Sequence, residues 1–254
     1  MGGLTVVSEI IRQLPHESII YFGDTARVPY GPKSPDTVLR YSREITAYLK
    51  GEGVKALVIA CNTATAHALP ALRKEYDMPI IGVIEPGARA AAAATKTKRV
   101  GVIGTAGTIR SGAYEKEIMK LLPDAEVTAR ACALFVPLVE EGWIDSEPTR
   151  AIARNYLAPL VAAEIDTLVL GCTHYPLMKG VIGNVVGRDV RLIDSAQETA
   201  RETAELLTRN GLENTSPNEA RYRFIASDAP DTFLSLGQLF LGSPIDRVET
   251  LTLG

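Results

Sequence analysis

The sequence has few cysteines, little net charge and no long apolar run. Three cysteines in 254 residues, none in a Cys-x-x-Cys pair, are too few for the disulfide framework of a secreted domain. The stretch 88–95 is mostly alanine and far shorter than the roughly 20 residues of a membrane span. Residues 1–12 lack the basic start and apolar core of a signal peptide. We therefore expect a cytoplasmic protein that does not associate with membranes.

The charge pattern and the histidine and glycine spacings exclude further classes. A net charge of −3, with scattered lysines and arginines, gives no basic surface for a nucleic-acid partner. Three histidines at these spacings predict no metal site. Gly101, Gly104 and Gly107 fall at G-x-x-G-x-x-G rather than at the dinucleotide fingerprint G-x-G-x-x-G. We expect neither a metal nor a nicotinamide or flavin cofactor.

Short runs rich in Val, Ile and Leu alternate with helical patterns along the chain. The runs predict buried parallel strands at 18–22, 56–60, 80–84, 99–103, 167–170 and 190–193. The helical patterns lie at 35–50, 65–76, 112–122 and 196–209, and Pro70 is expected to start, kink or divide its helix. This alternation predicts an α/β fold with mainly parallel sheets flanked by helices.

An internal repeat divides the chain into two related parts. ALVIACNTATAHALPAL from Ala56 and TLVLGCTHYPLMKGVI from Thr167 each contain a strand that ends in a cysteine, then a polar pair. A second strand and a helix follow each copy. The later part opens with a strand before its Gly-rich turn, whereas the earlier part opens directly with MGGLTVV. We therefore expect the earlier part to lack its first strand.

The two repeated cysteines, Cys61 and Cys172, are predicted to lie at the edge of a sheet where ligands bind in open α/β folds. Each precedes a predicted helix or turn, whose N–H groups favour a thiolate and lower the thiol pKa from about 8.5. The same N–H groups, with Asn62, Thr63 and Thr173, could hold a substrate carboxylate. The pattern predicts a pocket for an amino acid.

Two thiols on opposite sides of one carbon have a specific chemical use. A thiolate removes the Cα proton, and the opposite thiol returns a proton to the other face, which inverts the configuration. Asp24, Glu140 and His174 are candidates for setting the protonation of the thiols. Structural alternatives remain for all three: a helix cap or turn, a solvated helix end and a turn cap, respectively. Cys132, in the apolar run ARACALFV, is expected to be structural.

Five segments together resemble one enzyme family. They are GDTARVPYG, ACNTAT, VGVIGTAGTIRSGAY, FVPLVEEG and LGCTHYP, and in this order they span essentially the whole chain. The sequence resembles the glutamate racemases, cofactor-independent isomerases that supply D-glutamate for bacterial peptidoglycan and cell-wall biogenesis.

The resemblance implies a role for each matching residue. It implies that Cys61 acts on D-glutamate and Cys172 on L-glutamate, assisted by Asp24, Glu140 and His174. Contacts with the small-molecule substrate are implied for six residues: Tyr30, Gly31, Asn62, Thr63, Thr173 and His174. Thr105 and Thr108 are further candidates.

The resemblance and the repeat together imply two similar domains with the active site in the cleft between them. The first comprises residues 1–85 and 196–254, and the second comprises residues 86–195. Family members begin with a strand and the turn DSGVGG, whose Asp and Ser contact substrate, and this chain retains only Gly2 and Gly3 of that turn. The family also makes a homodimer an expectation.

Two rival functions fit parts of the pattern. A racemase for aspartate or another amino acid, or a related isomerase or decarboxylase, would use the same fold, although a decarboxylase needs only one thiol. A non-catalytic amino-acid binding protein would close around its ligand in the same way but would need no opposed thiols.

Overall fold

A computed structural model of the chain describes residues 1–216 and 219–253. In this part of the chain, strands and helices alternate. The strands are β1 (Ile19–Gly23), β2 (Leu57–Ile59), β3 (Ile80–Gly82), β4 (Arg99–Gly104), β5 (Glu126–Ala131), β6 (Thr167–Gly171), β7 (Arg191–Asp194), β8 (Tyr222–Ala226) and β9 (Glu249–Thr250). The helices are α1 (Leu4–Gln13), α2 (Pro35–Gly51), α3 (Asn62–Glu75), α4 (Ile84–Ala94), α5 (Ala106–Ser111), α6 (Ala113–Leu121), α7 (Phe135–Glu140), α8 (Glu147–Ala162), α9 (Lys179–Val186), α10 (Ser195–Asn210) and α11 (Pro230–Leu241).

The strands form three sheets, and every pairing between them is parallel. Their orders are β5-β4-β6-β7, β1-β8-β9 and β2-β3. We call β1–β3, β8 and β9 the first half of the fold, and β4–β7 the second half. The predicted fold class, mainly parallel sheets flanked by helices, is confirmed.

Burial explains why the strand runs can be recognised in the sequence. Every residue of β6 is buried, and so are all residues of β4 after Arg99. A parallel strand covered on both faces has to be apolar throughout, which gives a continuous run rather than an alternation. β5 has only half-buried or exposed residues, and the sequence pattern does not predict it. The pattern also misses β8 and β9, together with α5, α7, α8, α9 and α11.

Helix α3 begins earlier than the sequence indicates and continues through its proline. It starts at Asn62 rather than at residue 65, directly after Cys61, and contains Pro70 in its interior. The expectation that Pro70 would start or divide the helix is therefore wrong. The early start matters for the site, because it places the first backbone N–H groups of α3 next to Cys61.

The predicted domain boundaries fall at the starts of two helices. The boundary between residues 85 and 86 lies in the first turn of α4, and the boundary between 195 and 196 lies in the first turn of α10. Helices α4 and α10 contact one another, so the two predicted boundaries lie close together in the fold. In residues 1–216 and 219–253, no helix combines the length and apolar character needed to cross a membrane.

Candidate active site

One cavity of about 1170 Å³ runs along β1 and β2 and reaches the carboxyl ends of strands from both halves. Its walls contain most of the residues that the sequence predicts for the site: Asp24, Tyr30, Gly31, Cys61, Thr63, Thr105, Glu140, Cys172, Thr173 and His174. The cavity therefore contains both repeated cysteines. Their roles remain predictions, since their chemistry depends on more than a shared cavity.

Cys61 is the residue that precedes α3. Its backbone is extended, with φ −147° and ψ 123°, and its side chain is half-buried. Burial raises the pKa of the Cys61 thiol, while the backbone N–H groups of Ala64 and Thr63 act in the opposite direction. The early start of α3 thus limits the rise in this thiol pKa.

Cys172 directly follows β6 and is only 6% exposed. Burial raises its pKa to about 12, and the backbone N–H of His174 opposes this only in part. A short 3-10 helix, Tyr175–Met178, follows instead of an α-helix. The expectation that N–H groups would bring both thiols towards ionisation at neutral pH is wrong for this protein, because burial outweighs them.

A hydrogen-bonded chain connects Cys172 to the end of α7. The Sγ atom of Cys172 lies 3.8 Å from Nδ1 of His174, and Nε2 of His174 lies 2.9 Å from Oε1 of Glu140. Burial lowers the pKa of His174, although Glu140 acts to raise it, and the hydrogen bond to His174 lowers the pKa of Glu140. At neutral pH the pair is therefore a neutral imidazole next to a carboxylate.

Asp24 is held by three neighbours on the Cys61 side of the cavity. Nε of Arg27 lies 2.9 Å and 2.8 Å from its two carboxylate oxygens. The hydroxyl groups of Tyr30 and Ser227 also donate to it, the latter over 3.1 Å. Burial, reinforced by Asp24, raises the pKa of Tyr30, which therefore remains a donor. Asp24 is fixed in orientation rather than free to turn.

Arg27 and Ser227 are not among the site residues that the sequence predicts. Arg27 lies in the segment GDTARVPYG, where its charge beside Asp24 was an available signal. Ser227 directly follows β8, a strand that the sequence does not reveal, so no signal points to it.

Three threonine hydroxyls connect the start of α3 in the first half with the start of α5 in the second half. Oγ1 of Thr63 lies 2.8 Å from that of Thr105 and 3.3 Å from that of Thr108, and the last two are 3.1 Å apart. Gly31 packs against them so closely that a Cβ atom there would lie 3.0 Å from the Cβ of Thr105. A larger residue at position 31 would have to displace Thr105, and the close contact holds the loop of Tyr30 at the cavity.

Asn62 does not line the cavity. It is 2% exposed, and its Oδ1 accepts a hydrogen bond of 2.7 Å from the hydroxyl of Tyr114 on α6. In the described part of the chain, its buried Nδ2 has no hydrogen-bond partner. Direct substrate contact by Asn62 stays a prediction, and the structure adds Tyr114 as the residue that orients its amide.

Cys132 differs from the other two cysteines. It is fully buried, does not line the cavity, and belongs to the main hydrophobic cluster with Phe135 and Tyr175. Burial raises its pKa to about 12. The position agrees with the structural role expected from its apolar segment.

Comparison with known proteins gives the same family from sequence and from structure. Residues 2–203 match the family model described as Asp/Glu/Hydantoin racemase. A glutamate racemase of Geobacter metallireducens is 55% identical over 253 residues, which cover 100% of this chain and 94% of the relative. A glutamate racemase of Neisseria meningitidis is 49% identical with the same two coverages.

Solved structures with the same fold include a glutamate racemase of Bacillus anthracis, with a TM-score of 0.95 at 44% identity over 98% of this chain and 93% of the other. A Francisella tularensis glutamate racemase, solved in complex with D-glutamate, gives a TM-score of 0.93 at 38% identity over 99% and 94%. A Picrophilus torridus aspartate racemase gives a TM-score of 0.52 at 18% identity, which shows similarity of fold alone.

Proposed function

Because the chain belongs to the Asp/Glu/hydantoin racemase family, we propose that Cys61 and Cys172 are the acid and base of its reaction. The protein is an isomerase of the glutamate racemase type, which interconverts L- and D-glutamate for peptidoglycan synthesis. The observation that carries the two-thiol proposal is the shared cavity, which both cysteines line at equivalent strand ends. No other cysteine of the chain lines it: Cys132 is in the core.

The reaction begins with a thiolate on one side and a thiol on the other. With L-glutamate, the Cys172 thiolate takes the Cα proton, an S–H bond forms, and the electron pair remains on the substrate carbon. The Cys61 thiol then gives its proton to the opposite face of that carbon. The reaction leaves a thiolate at Cys61 and a thiol at Cys172, which is the starting state for D-glutamate.

The raised thiol pKa values are consistent with this role. The Cα proton of an amino acid is only weakly acidic, so a thiolate with a raised pKa is a better base for its removal. The same burial lowers the fraction of thiolate at neutral pH. His174 and Glu140 on one side, and Asp24 on the other, are proposed to assist the proton transfers that restore each sulfur.

Substrate positioning follows from the polar atoms around the two sulfurs. We propose that Tyr30, Gly31, Thr63, Thr173 and His174 contact the substrate, and that Asn62 contributes its unpartnered Nδ2 after a small movement. Fixed N–H and hydroxyl donors stabilise the carbanion-like intermediate because they need not reorient as charge develops. We propose that the α3 N–H groups beside Cys61 donate to the substrate carboxylate.

A circular-dichroism time course with purified protein tests the function. L-glutamate should lose its signal as it becomes racemic, whereas L-aspartate under the same conditions should keep it. Loss of the aspartate signal alone would favour the neighbouring racemase activity. A stable signal for both, with saturable binding of glutamate, would identify a binding protein instead.

Two finer features are proposals of the same kind. We propose a cytoplasmic location, because Cys61, Cys132 and Cys172 are all free thiols. We also propose a homodimer, as expected from the family, and light scattering of the purified protein would test it.

A further inference from the structure

Both carboxylate oxygens of Asp24 are occupied by donors from the protein. Oδ1 accepts from Nε of Arg27 over 2.9 Å and from the hydroxyl of Ser227 over 3.1 Å. Oδ2 accepts from the same Nε over 2.8 Å and from the hydroxyl of Tyr30. The Asp24 side chain is only 6% exposed, so water contributes little to its solvation. Arg27 is the one charged group among these donors, so the environment of Asp24 depends on how Arg27 is itself held.

Arg27 is held by helix α2. Its Nη1 donates to the carboxylate of Glu44, and its guanidinium carbon lies 4.1 Å from the centre of the Tyr41 ring. Glu44 and Tyr41 are three positions apart in α2, so both lie on the same face of that helix. The Arg27 side chain is 15% exposed and is thus largely shielded from solvent. A side chain from the segment after β1 therefore connects α2 to Asp24 at the wall of the cavity.

One N–H group of Arg27 makes no hydrogen bond. Among the described residues, the buried Nη2 atom has no hydrogen-bond partner. A buried donor without a partner costs free energy, and the neighbouring Tyr41 ring offsets this only in part. The two nitrogens that do form hydrogen bonds both donate to carboxylates, those of Asp24 and Glu44. Because stability alone would favour a residue without this cost, the position of Arg27 indicates a role in the site.

We propose that Arg27 is a positioning residue for racemisation, which acts through Asp24 and is itself held by Glu44 and Tyr41. The inference rests on the function proposed above, in which Asp24 assists proton transfer at Cys61. In the described part of the chain, Asp24 lines the cavity but Arg27 does not, so the guanidinium acts on the carboxylate rather than on the substrate. It keeps both oxygens of Asp24 in one orientation during the proton transfers.

The geometry suits a guanidinium better than an ammonium group. Nε and Nη1 of Arg27 are fixed in one plane, and they bind two carboxylates at the same time, those of Asp24 and Glu44. A lysine has the same charge, but its ammonium group is a point charge on a flexible stem. Lysine at position 27 should therefore restore part of the effect of arginine but not all of it.

Steady-state kinetics of Arg27→Met separate positioning from substrate binding. We expect kcat to fall by about tenfold while KM changes by less than about twofold, because the variant disturbs proton transfer and leaves the substrate contacts in place. Gly31, in the same segment, stays fixed by its packing against Thr105. A loop displaced as a whole would instead raise KM. Arg27→Lys should recover part of the lost kcat.

Arg43 provides the matched control on the same helix. It forms an ion pair with Glu75, in which Nη2 lies 2.6 Å from Oε1, and its side chain is 49% exposed. Exposed ion pairs contribute little, and neither of these residues lines the cavity. Arg43→Met should therefore keep both kcat and KM.

A double-mutant cycle with Asp24→Asn tests whether Arg27 acts through Asp24. In the Asp24→Asn background, Arg27→Met should lower kcat by less than about a further twofold, because the group that it positions is already lost. Glu44→Gln should lower kcat less than Arg27→Met does, and it should have no effect in an Arg27→Met chain. Far-UV circular dichroism checks the fold of each variant, and Arg27→Lys replaces Arg27→Met in the cycle if the latter does not fold.

Unchanged kcat in a folded Arg27→Met chain would overturn the inference. Losses that add in the double variant would overturn it too, since Arg27 would then act independently of Asp24. The same holds for a rise in KM without a fall in kcat. An unchanged chain that racemises no glutamate would contradict the proposed function itself and this inference with it, whereas an active chain with additive losses contradicts this inference alone.

Discussion

Cys61 and Cys172 follow equivalent strands, but the two halves support them differently. β6 lies inside a continuous four-stranded sheet, whereas β2 has only β3 beside it among the described residues. Cys172 is buried next to His174, which in turn contacts Glu140. Cys61 is half-buried at the start of an α-helix. A repeat in sequence has thus kept the position of the sulfur while changing what controls its proton.

The protonation of the two thiols is therefore controlled by different neighbours. On the Cys172 side, the hydrogen-bonded side chains of His174 and Glu140 can accept and return protons. On the Cys61 side, backbone N–H groups favour the thiolate directly, and Asp24 is fixed by Arg27, Tyr30 and Ser227. Substitutions on each side can show whether both thiols are equally necessary and whether different groups control their protonation.

The largest expected effect is the loss of either sulfur. Cys61→Ala and Cys172→Ala should each lower kcat/KM by about a thousandfold or more, because one acid or base is absent from the transition state. The far-UV circular-dichroism spectrum should not change. Cys132→Ala is the matched control: it should keep activity and lose about 1 kcal/mol of unfolding free energy. Substantial activity in either of the first two variants would break the proposed equivalence.

The next effect distinguishes the assisting groups. His174→Ala and Asp24→Asn should each lower kcat/KM by about a hundredfold, and Glu140→Gln by less, since Glu140 acts through His174. L- and D-glutamate have equal free energies, so kcat/KM must fall by the same factor in both directions. The pH profile should change more in His174→Ala than in Asp24→Asn, because the imidazole of His174 lies only 3.8 Å from the Cys172 sulfur. Identical profiles would contradict the difference between the two sides.

Alkaline stability gives a smaller effect with a definite sign. The unfolded Cys172 thiol ionises near pH 9, whereas the folded one keeps its proton up to about pH 12. Between these values the folded state binds more protons, so the unfolding free energy falls as the pH rises. At pH 10 the loss from this thiol is about 1 kcal/mol.

Urea unfolding at pH 8 and pH 10 measures that loss. Cys172→Ala should lose less stability over the interval than the unchanged chain. Cys61→Ala should differ less from the unchanged chain in this pH-dependent loss of stability. The reason is that the N–H groups of Ala64 and Thr63 oppose the rise in the Cys61 pKa that burial causes. The reverse order would show that burial affects Cys61 more strongly than Cys172.

The last expected effect concerns the hydrogen bond between Tyr114 and Asn62, which connects the halves. Tyr114→Phe removes the donor to the buried Oδ1 of Asn62 and should cost about 1–2 kcal/mol of unfolding free energy. KM should rise more than kcat falls, because the amide of Asn62 loses its fixed orientation. Tyr156→Phe, on the more exposed helix α8, is a suitable control.

The sequence predicts the fold class and both cysteine positions because strands β2 and β6 are continuous apolar runs, each closely followed by a cysteine. It does not predict β5, whose residues are half-buried or exposed, nor β8 and β9. The position of Ser227 depends on β8 and is missed with it. These elements are determined by tertiary pairing rather than by local composition.

The environment of the thiols is also beyond a sequence pattern. The sequence indicates a helix start close to Cys61. The N–H groups of that helix act to lower the pKa of the Cys61 thiol, as expected. The larger contribution of burial depends on distant residues that close over the cavity, and it reverses the net direction at both sulfurs. The hydrogen bond between His174 and Glu140 joins residues 34 positions apart and likewise requires the fold.

The origin of the new Cα hydrogen tests the central claim, two acid–base groups on opposite faces, most directly. Racemisation of L-glutamate in D₂O should give D-glutamate that carries deuterium at Cα from the first turnovers, while the remaining L-glutamate keeps its original hydrogen. Mass spectrometry of the separated enantiomers at low conversion measures both. D-glutamate that retains the original hydrogen would instead show that one group both removes and returns the proton.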